Sequence, residues 1–337
     1  MNKKTIRLLS LVAASVMLTA ALSGCSGNKE ESQMTTESSQ TTNSAQTNES
    51  DVTEPTAEST AAELTPESTV TESTAEPLPP VEYPCEYRQE ELHCTYDDKD
   101  IFGTLYTPEN GRDKHPAVIF SHGYNCIGSD MQDIAKNLAK NGVIAYTFDY
   151  CGGSTRSQSS GDSVDMSIET EQDDLRHVID MISAMDNVDA SQLYLYGESQ
   201  GGFVAGLTGA EMPDRIAGMF LIYPAFCIAD QWLAMDPSTM TEPFNFMGGM
   251  TLSKTFYDGV PRYDIYEHIK AFTNPVLIYH GDKDQVVSLS YAHKIDEAFP
   301  DSTLTIVEGA GHGFGGSDRK LVLDGICEFF TSRNLNQ

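Results

Sequence analysis

From about residue 92 the chain alternates short apolar runs with amphipathic stretches, and the two periods separate strands from helices. Ala117–Ser121 (AVIFS), Val143–Phe148, Leu193–Tyr196, Ile216–Tyr223, Pro275–Tyr279 and Thr303–Val307 are brief runs rich in branched and aromatic residues, as expected of buried strands. Asp130–Lys140 places Met131, Ile134 and Leu138 at helical spacing and stops at Asn141-Gly142. Ile168–Met185, Gly201–Ala210 and Arg319–Phe330 read as further helices. Leu92–Tyr106, interrupted by Asp97-Asp98-Lys99-Asp100, reads as a β-hairpin. Strands alternating with helices predict an α/β fold with a mostly parallel, doubly wound sheet covered on both faces. One segment breaks the alternation. Phe226–Asp264 shows no clear strand and holds the single tryptophan, Trp232, with a Met/Phe/Gly-rich patch at 244–250. An insertion of this length in a compact domain predicts a lid over a site.

Upstream of residue 81 the pattern changes twice. Lys3, Lys4 and Arg7 precede the uncharged stretch Leu8–Ser23, which is shorter than the ~20 residues a bilayer span needs. Residues 1–24 therefore read as a signal peptide. Its end, Leu22-Ser23-Gly24-Cys25, resembles a bacterial lipoprotein box, which implies that Cys25 is lipidated and that the protein is held in the cell envelope, on the outer face of the cytoplasmic membrane. Residues 26–80 are Ser, Thr, Glu, Gln, Ala and Pro with almost no large apolar side chains, too few to offset the entropy of ordering. Together, 25–80 read as a lipidated, disordered tether, and 81–337 as the folded domain. The formal charge of −29 disfavours phosphate backbones, so no nucleic-acid partner is expected.

The chemistry concentrates in loops that follow strands. Gly197-Glu198-Ser199-Gln200-Gly201-Gly202 lies between the strand Leu193–Tyr196 and a helix, the context a nucleophile elbow requires. A serine hydroxyl is a weak nucleophile until a base takes its proton. Of eight histidines, His312 fits best: it follows the last strand in a glycine-flanked loop, Gly309–Phe314. His122 and His280 also end strands, and hydrogen bonding beneath the site is the role expected of them. The acid falls between serine and base in the segment His280–Val287, where Asp284 is favoured over Asp282. The oxyanion donors are expected to be the backbone N–H groups of Gln200 and of Tyr124, whose ring would also line the pocket. Cys85 and Cys94, too far apart on one strand to bridge unless a hairpin lies between them, and Cys126 and Cys151 on neighbouring loops, are the cysteines whose spacing leaves disulfide pairing open.

The loop His122-Gly123-Tyr124, the elbow Ser199–Gly202, the segment His280–Val287 and the loop Gly309–Phe314 resemble the α/β-hydrolase superfamily over about residues 85–335, in particular bacterial esterases of the feruloyl and cinnamoyl type. The aspartate and glycines of Phe148–Ser154 match that family's loop after the next strand. The resemblance implies a serine esterase that needs neither cofactor nor metal and cleaves short-chain or hydroxycinnamoyl-like esters. Trp232 and Tyr124 are the expected substrate contacts, with Phe244, Phe246 and Tyr257 completing the lid's aromatic set. One departure is Glu198, where these esterases commonly show histidine; it is expected on the pocket floor. The alternatives are a peptidase or acyl-aminoacyl hydrolase on the same fold, and a non-catalytic lipid-anchored binding protein.

Overall fold

The computed structural model describes residues 84–333. The signal peptide, Cys25 and the tether lie outside the described residues. The strands are, in chain order, β1 (Glu86–Glu91), β2 (Cys94–Tyr96), β3 (Lys99–Ile101), β4 (Gly103–Glu109), β5 (His115–Ser121), β6 (Ile144–Phe148), β7 (Val188–Glu198), β8 (Gly218–Ile222), β9 (Phe244–Phe246), β10 (Met250–Leu252), β11 (Val276–Gly281) and β12 (Ser302–Val307). Eight of them form one sheet in the order β1-β4-β6-β5-β7-β8-β11-β12. β1, β4 and β6 pair antiparallel, and every pairing from β6 to β12 is parallel.

Central strands β5, β6 and β8 are buried at every position, which explains their unbroken apolar runs: each face of the sheet meets helices. Alternate residues of β5 serve two cores. Ala117 and Ile119 join the layer under α2 (Ile168–Ser183) and α3 (Gln200–Glu211), with Leu175, Val178, Phe203 and Val204. Val118 and Phe120 join the opposite layer under α1 (Gln132–Lys140) and the closing helix (Gly316–Ser332), with Ile134, Leu138, Ile326 and Phe330. The doubly wound α/β architecture is thus as expected.

Two local readings are corrected. The predicted hairpin over Leu92–Tyr106 contains only β2 and β3, which turn at Asp97 (φ 49°); Gly103 onward leaves it to pair with β1 and β6. The insertion, read as strandless, holds a small antiparallel hairpin of β9 and β10 around Gly248 and Gly249. It also holds α4 (Cys227–Leu233) and α5 (Lys254–Asp258), and is followed by α6 (Ile265–Ile269) and α7 (Leu289–Ala298). The pairing that the spacing left open is answered among the described residues, where Cys85, Cys94 and Cys151 carry free thiols.

Candidate active site

β7 ends at Glu198 and α3 begins at Gln200, so Ser199 alone makes the turn between strand and helix. Its backbone takes φ 52° and ψ −118°, a strained conformation for a residue with a side chain. Three hydrogen bonds hold it: Ser199 N–H donates to Ile222 O (3.0 Å), and Ser199 O accepts from Ala225 N (2.9 Å) and Phe203 N (3.1 Å). The turn lifts the hydroxyl off the sheet. Gly201 allows the loop after β5 to close on it, because a Cβ there would lie 2.2 Å from Ser121 O.

That loop and the two after β11 and β12 converge on the serine. His312 Nε2 lies 2.9 Å from Ser199 Oγ, and His312 Nδ1 lies 2.8 Å from Asp284 Oδ2. The carboxylate is fixed from its other side, since Oδ1 accepts from Val286 N (2.8 Å) and Val287 N (2.9 Å). Burial would raise the Asp284 pKa, but hydrogen bonds from His280 and His312, with the electrostatic attraction of the His312 ring, hold it well below the ordinary carboxylate range. An ionised Asp284 accepts from Nδ1–H, which leaves Nε2 as the lone pair facing the hydroxyl. Asp282 sits apart: its Oδ1 accepts from Gly309 N at 2.6 Å, bracing the loop that carries His312.

The remaining predicted residues fall into two groups. Tyr124 and Gln200 both line the pocket beside Ser199. Gly123 places its loop against the nucleophile, since a Cβ on it would be 3.2 Å from Ser199 Cβ. Gln200 opens α3, where a backbone N–H has no partner inside the helix. His122 and His280 are buried beneath the site. His122 accepts from Tyr150 N (3.0 Å), with its Nδ1 2.8 Å from Gly123 O; His280 Nε2 lies 2.9 Å from Val287 O and 3.3 Å from Asp284 Oδ2. That last contact, a second histidine on the acid, was not anticipated.

Glu198 does not face the pocket floor. Its carboxylate turns to the other side of the elbow, accepting from Tyr196 OH (2.6 Å), Tyr223 OH (2.8 Å) and Arg319 Nη1 (3.2 Å). Two tyrosines and an arginine outcompete solvent for the charge. The network reaches the site only indirectly, through the Tyr223 ring, whose centroid lies 4.7 Å from that of His312.

The pocket is a cleft with about 540 Å³ of empty space, part of it open to solvent. Its walls come from the insertion, through Trp232, Phe246, Met247 and Phe256, and from Val286 and Val287 next to Asp284 in sequence. Among the described residues, no charged side chain lines it. Trp232 is 3% exposed and packs on Phe256 with centroids 4.5 Å apart. Phe246 meets the Tyr124 ring edge-on at 5.6 Å. Phe256 takes the place expected of Tyr257, which instead lies beneath the cations of Lys254 and Arg262.

A nucleophile elbow, a histidine at its hydroxyl and a carboxylate behind the histidine, on a doubly wound sheet, define a serine hydrolase of the α/β-hydrolase fold. The sequence profile of the prolyl oligopeptidase family matches residues 130–335, and the chain belongs to that family. A monoacylglycerol lipase of Mycolicibacterium smegmatis is 22% identical over 263 residues, covering 68% of this chain and 91% of that one. An α/β hydrolase of Acanthamoeba polyphaga mimivirus is 23% identical over 202 residues, with 58% of this chain spanning 66% of the viral protein. Among solved structures, Est1E from Butyrivibrio proteoclasticus with ferulic acid bound superposes with a TM-score of 0.67 at 22% identity, over 72% of this chain and 98% of that one.

Proposed function

We propose that the protein is a carboxylic-ester hydrolase acting on short-chain or hydroxycinnamoyl-like esters through an acyl-enzyme on Ser199. The observation that carries this reading is the unbroken series Asp284–His312–Ser199 opening into an apolar, aromatic-walled cleft. His312 takes the hydroxyl proton as Ser199 Oγ attacks the ester carbonyl, and the imidazolium is stabilised by Asp284. The N–H groups of Tyr124 and Gln200 receive the oxyanion. His312 then returns the proton to the departing alcohol, and a water activated by the same imidazole releases the acid. No step calls for a cofactor or metal.

A second reading, peptide-amide hydrolysis, rests on membership of the prolyl oligopeptidase family. A substrate panel separates them. Nitrophenyl acetate and butyrate and methyl hydroxycinnamates should be cleaved far faster than a prolyl anilide or a palmitate ester. A prolyl anilide as the best substrate would transfer the assignment to a peptidase.

Within the ester reading, Phe246 is the better probe of aromatic preference, because removing the buried Trp232 would collapse the lid wall it shares with Phe256. Phe246→Ala should lower kcat/KM for a hydroxycinnamoyl ester roughly twofold to tenfold more than for an acetate ester, the equivalent of one aromatic contact of about 0.5–1.5 kcal/mol. Equal losses on both esters would mean that Phe246 only packs the lid.

Anchoring belongs to the same proposal. Cys25→Ser in the full-length chain should move the protein from membrane to soluble fractions, since the lipid on that residue would supply the attachment. Retention on membranes would point to an uncleaved hydrophobic anchor.

A further inference from the structure

Behind the cleft, on the first turns of α2, lies a carboxyl that the chemistry above does not use. Glu171 is 1% exposed, and Gln200 Nε2 donates to it with Oε1 at 2.9 Å and Oε2 at 2.8 Å. Gln200 is itself 3% exposed and is the residue after the nucleophile. Tyr124, on the facing loop, buries its hydroxyl with no hydrogen-bond partner among the described residues, and it lies close enough to feel the charge of Glu171. One buried carboxyl thus grips the residue that supplies one oxyanion N–H and faces the side chain of the residue that supplies the other.

We propose that Glu171 is the positioning residue of the oxyanion hole, fixing the Gln200 backbone N–H by holding its side chain. The inference rests on the reading of Ser199 as nucleophile with Tyr124 and Gln200 as oxyanion donors. Its geometry is that of a rigid brace: the amide of a residue at a helix start is aimed by its own side chain, which is anchored one helix away. The groups that face Glu171 are few. Asp174 lies three residues on along α2 and is bonded to Lys99 and Tyr96; Tyr124 and Tyr150 face it from the loops after β5 and β6. Burial pushes the Glu171 carboxyl up to about 8; the hydrogen bond from Gln200 opposes this and the charge of Asp174 adds to it. Below that pH the group is a neutral brace. Above it, a negative charge forms behind the hole and opposes the oxyanion.

The test is kcat and KM for nitrophenyl acetate against pH, in wild type, Glu171→Gln and Glu171→Ala, with fluorophosphonate labelling of Ser199 in parallel. Wild-type kcat should fall on the alkaline side with a midpoint near pH 8. Glu171→Gln retains a neutral acceptor for the Gln200 amide, so it should stay within about threefold of wild type at pH 7 and lose the alkaline fall. Glu171→Ala should lose roughly tenfold to a hundredfold in kcat, less than deletion of an oxyanion donor, with KM nearly unchanged. If the alanine variant does not fold, Gln200→Leu cuts the same contact while keeping the backbone N–H, and the same kcat loss is expected. Wild-type kcat in a folded Glu171→Ala or in Gln200→Leu, or an intact alkaline fall in Glu171→Gln, overturns the inference. It leaves the site reading standing provided that Ser199→Ala is inactive and the wild-type serine is labelled. An active Ser199→Ala would sink both.

Discussion

Ser199→Ala should lower kcat for ester hydrolysis about 10⁴-fold or more while leaving the fold intact. The size follows from what is removed. His312 Nε2 at 2.9 Å has no proton to take once Oγ is gone, and the two N–H groups proposed as oxyanion donors would be left to polarise a carbonyl that only water can attack. Those groups and the cleft still bind the substrate, so KM should change little and a residual rate over water should persist. Folding should survive because alanine meets the same backbone strain at φ 52° as serine, and the three backbone hydrogen bonds that hold the turn do not involve the hydroxyl. Stopped-flow or steady-state kinetics beside a thermal melt checks both halves. A variant retaining a tenth of wild-type turnover would move the nucleophile elsewhere.

Asp284→Asn should be almost as damaging, at about 10⁴-fold in kcat, whereas Asp282→Asn should cost less than about tenfold. The argument is one of hydrogen-bond polarity. Oδ1 of Asp284 accepts two backbone N–H groups, from Val286 and Val287, and an asparagine must keep its carbonyl oxygen there. Its NH₂ then occupies the place of Oδ2 and points at His312 Nδ1, 2.8 Å away. The ring must accept at Nδ1 and carry its proton on Nε2, where it faces the serine and cannot act as a base. Asp282 offers no such trap. Asparagine at 282 can still accept from Gly309 N through its oxygen. Near-equal losses in the two variants, or the reverse ranking, would transfer the acid's role.

How far the sequence disclosed this site depended on whether a residue's surroundings were local. The elbow, the base and the acid each sit just after a strand, and short strands buried on both faces are legible as apolar runs. Glu198 was misplaced because two of its three partners come from far along the chain: Tyr223 is 25 residues away and Arg319 is 121. β1 escaped notice because EYRQEE is mostly exposed and lies at the sheet edge, where polar residues are tolerated. The hairpin of β9 and β10 escaped because three residues per strand are too few to show a period. Glu171 was hidden by company. Among Glu169, Asp173 and Asp174 it looks like one more charge on a solvated helix face. Yet 171, 174, 175, 178 and 182 are spaced as a single stripe, and Leu175, Val178 and Ile182 mark that stripe as buried. An acid on the apolar side of a helix was the available signal.

The contact between Ser199 and His312 spans 113 residues of sequence, and this bears on when activity can first exist. β5 pairs with β6 and with β7, and β7 with β8, whose end supplies bonds that hold the strained turn at Ser199, so that turn can form before β11 and β12 arrive. Loop-closure entropy delays contacts of long sequence separation. A chain caught at that stage carries its serine already lifted from the sheet, yet with the reactivity of an ordinary alcohol. Nucleophilicity is therefore a late property of this fold, acquired only when the last two parallel strands dock, so that partly folded chains are catalytically silent.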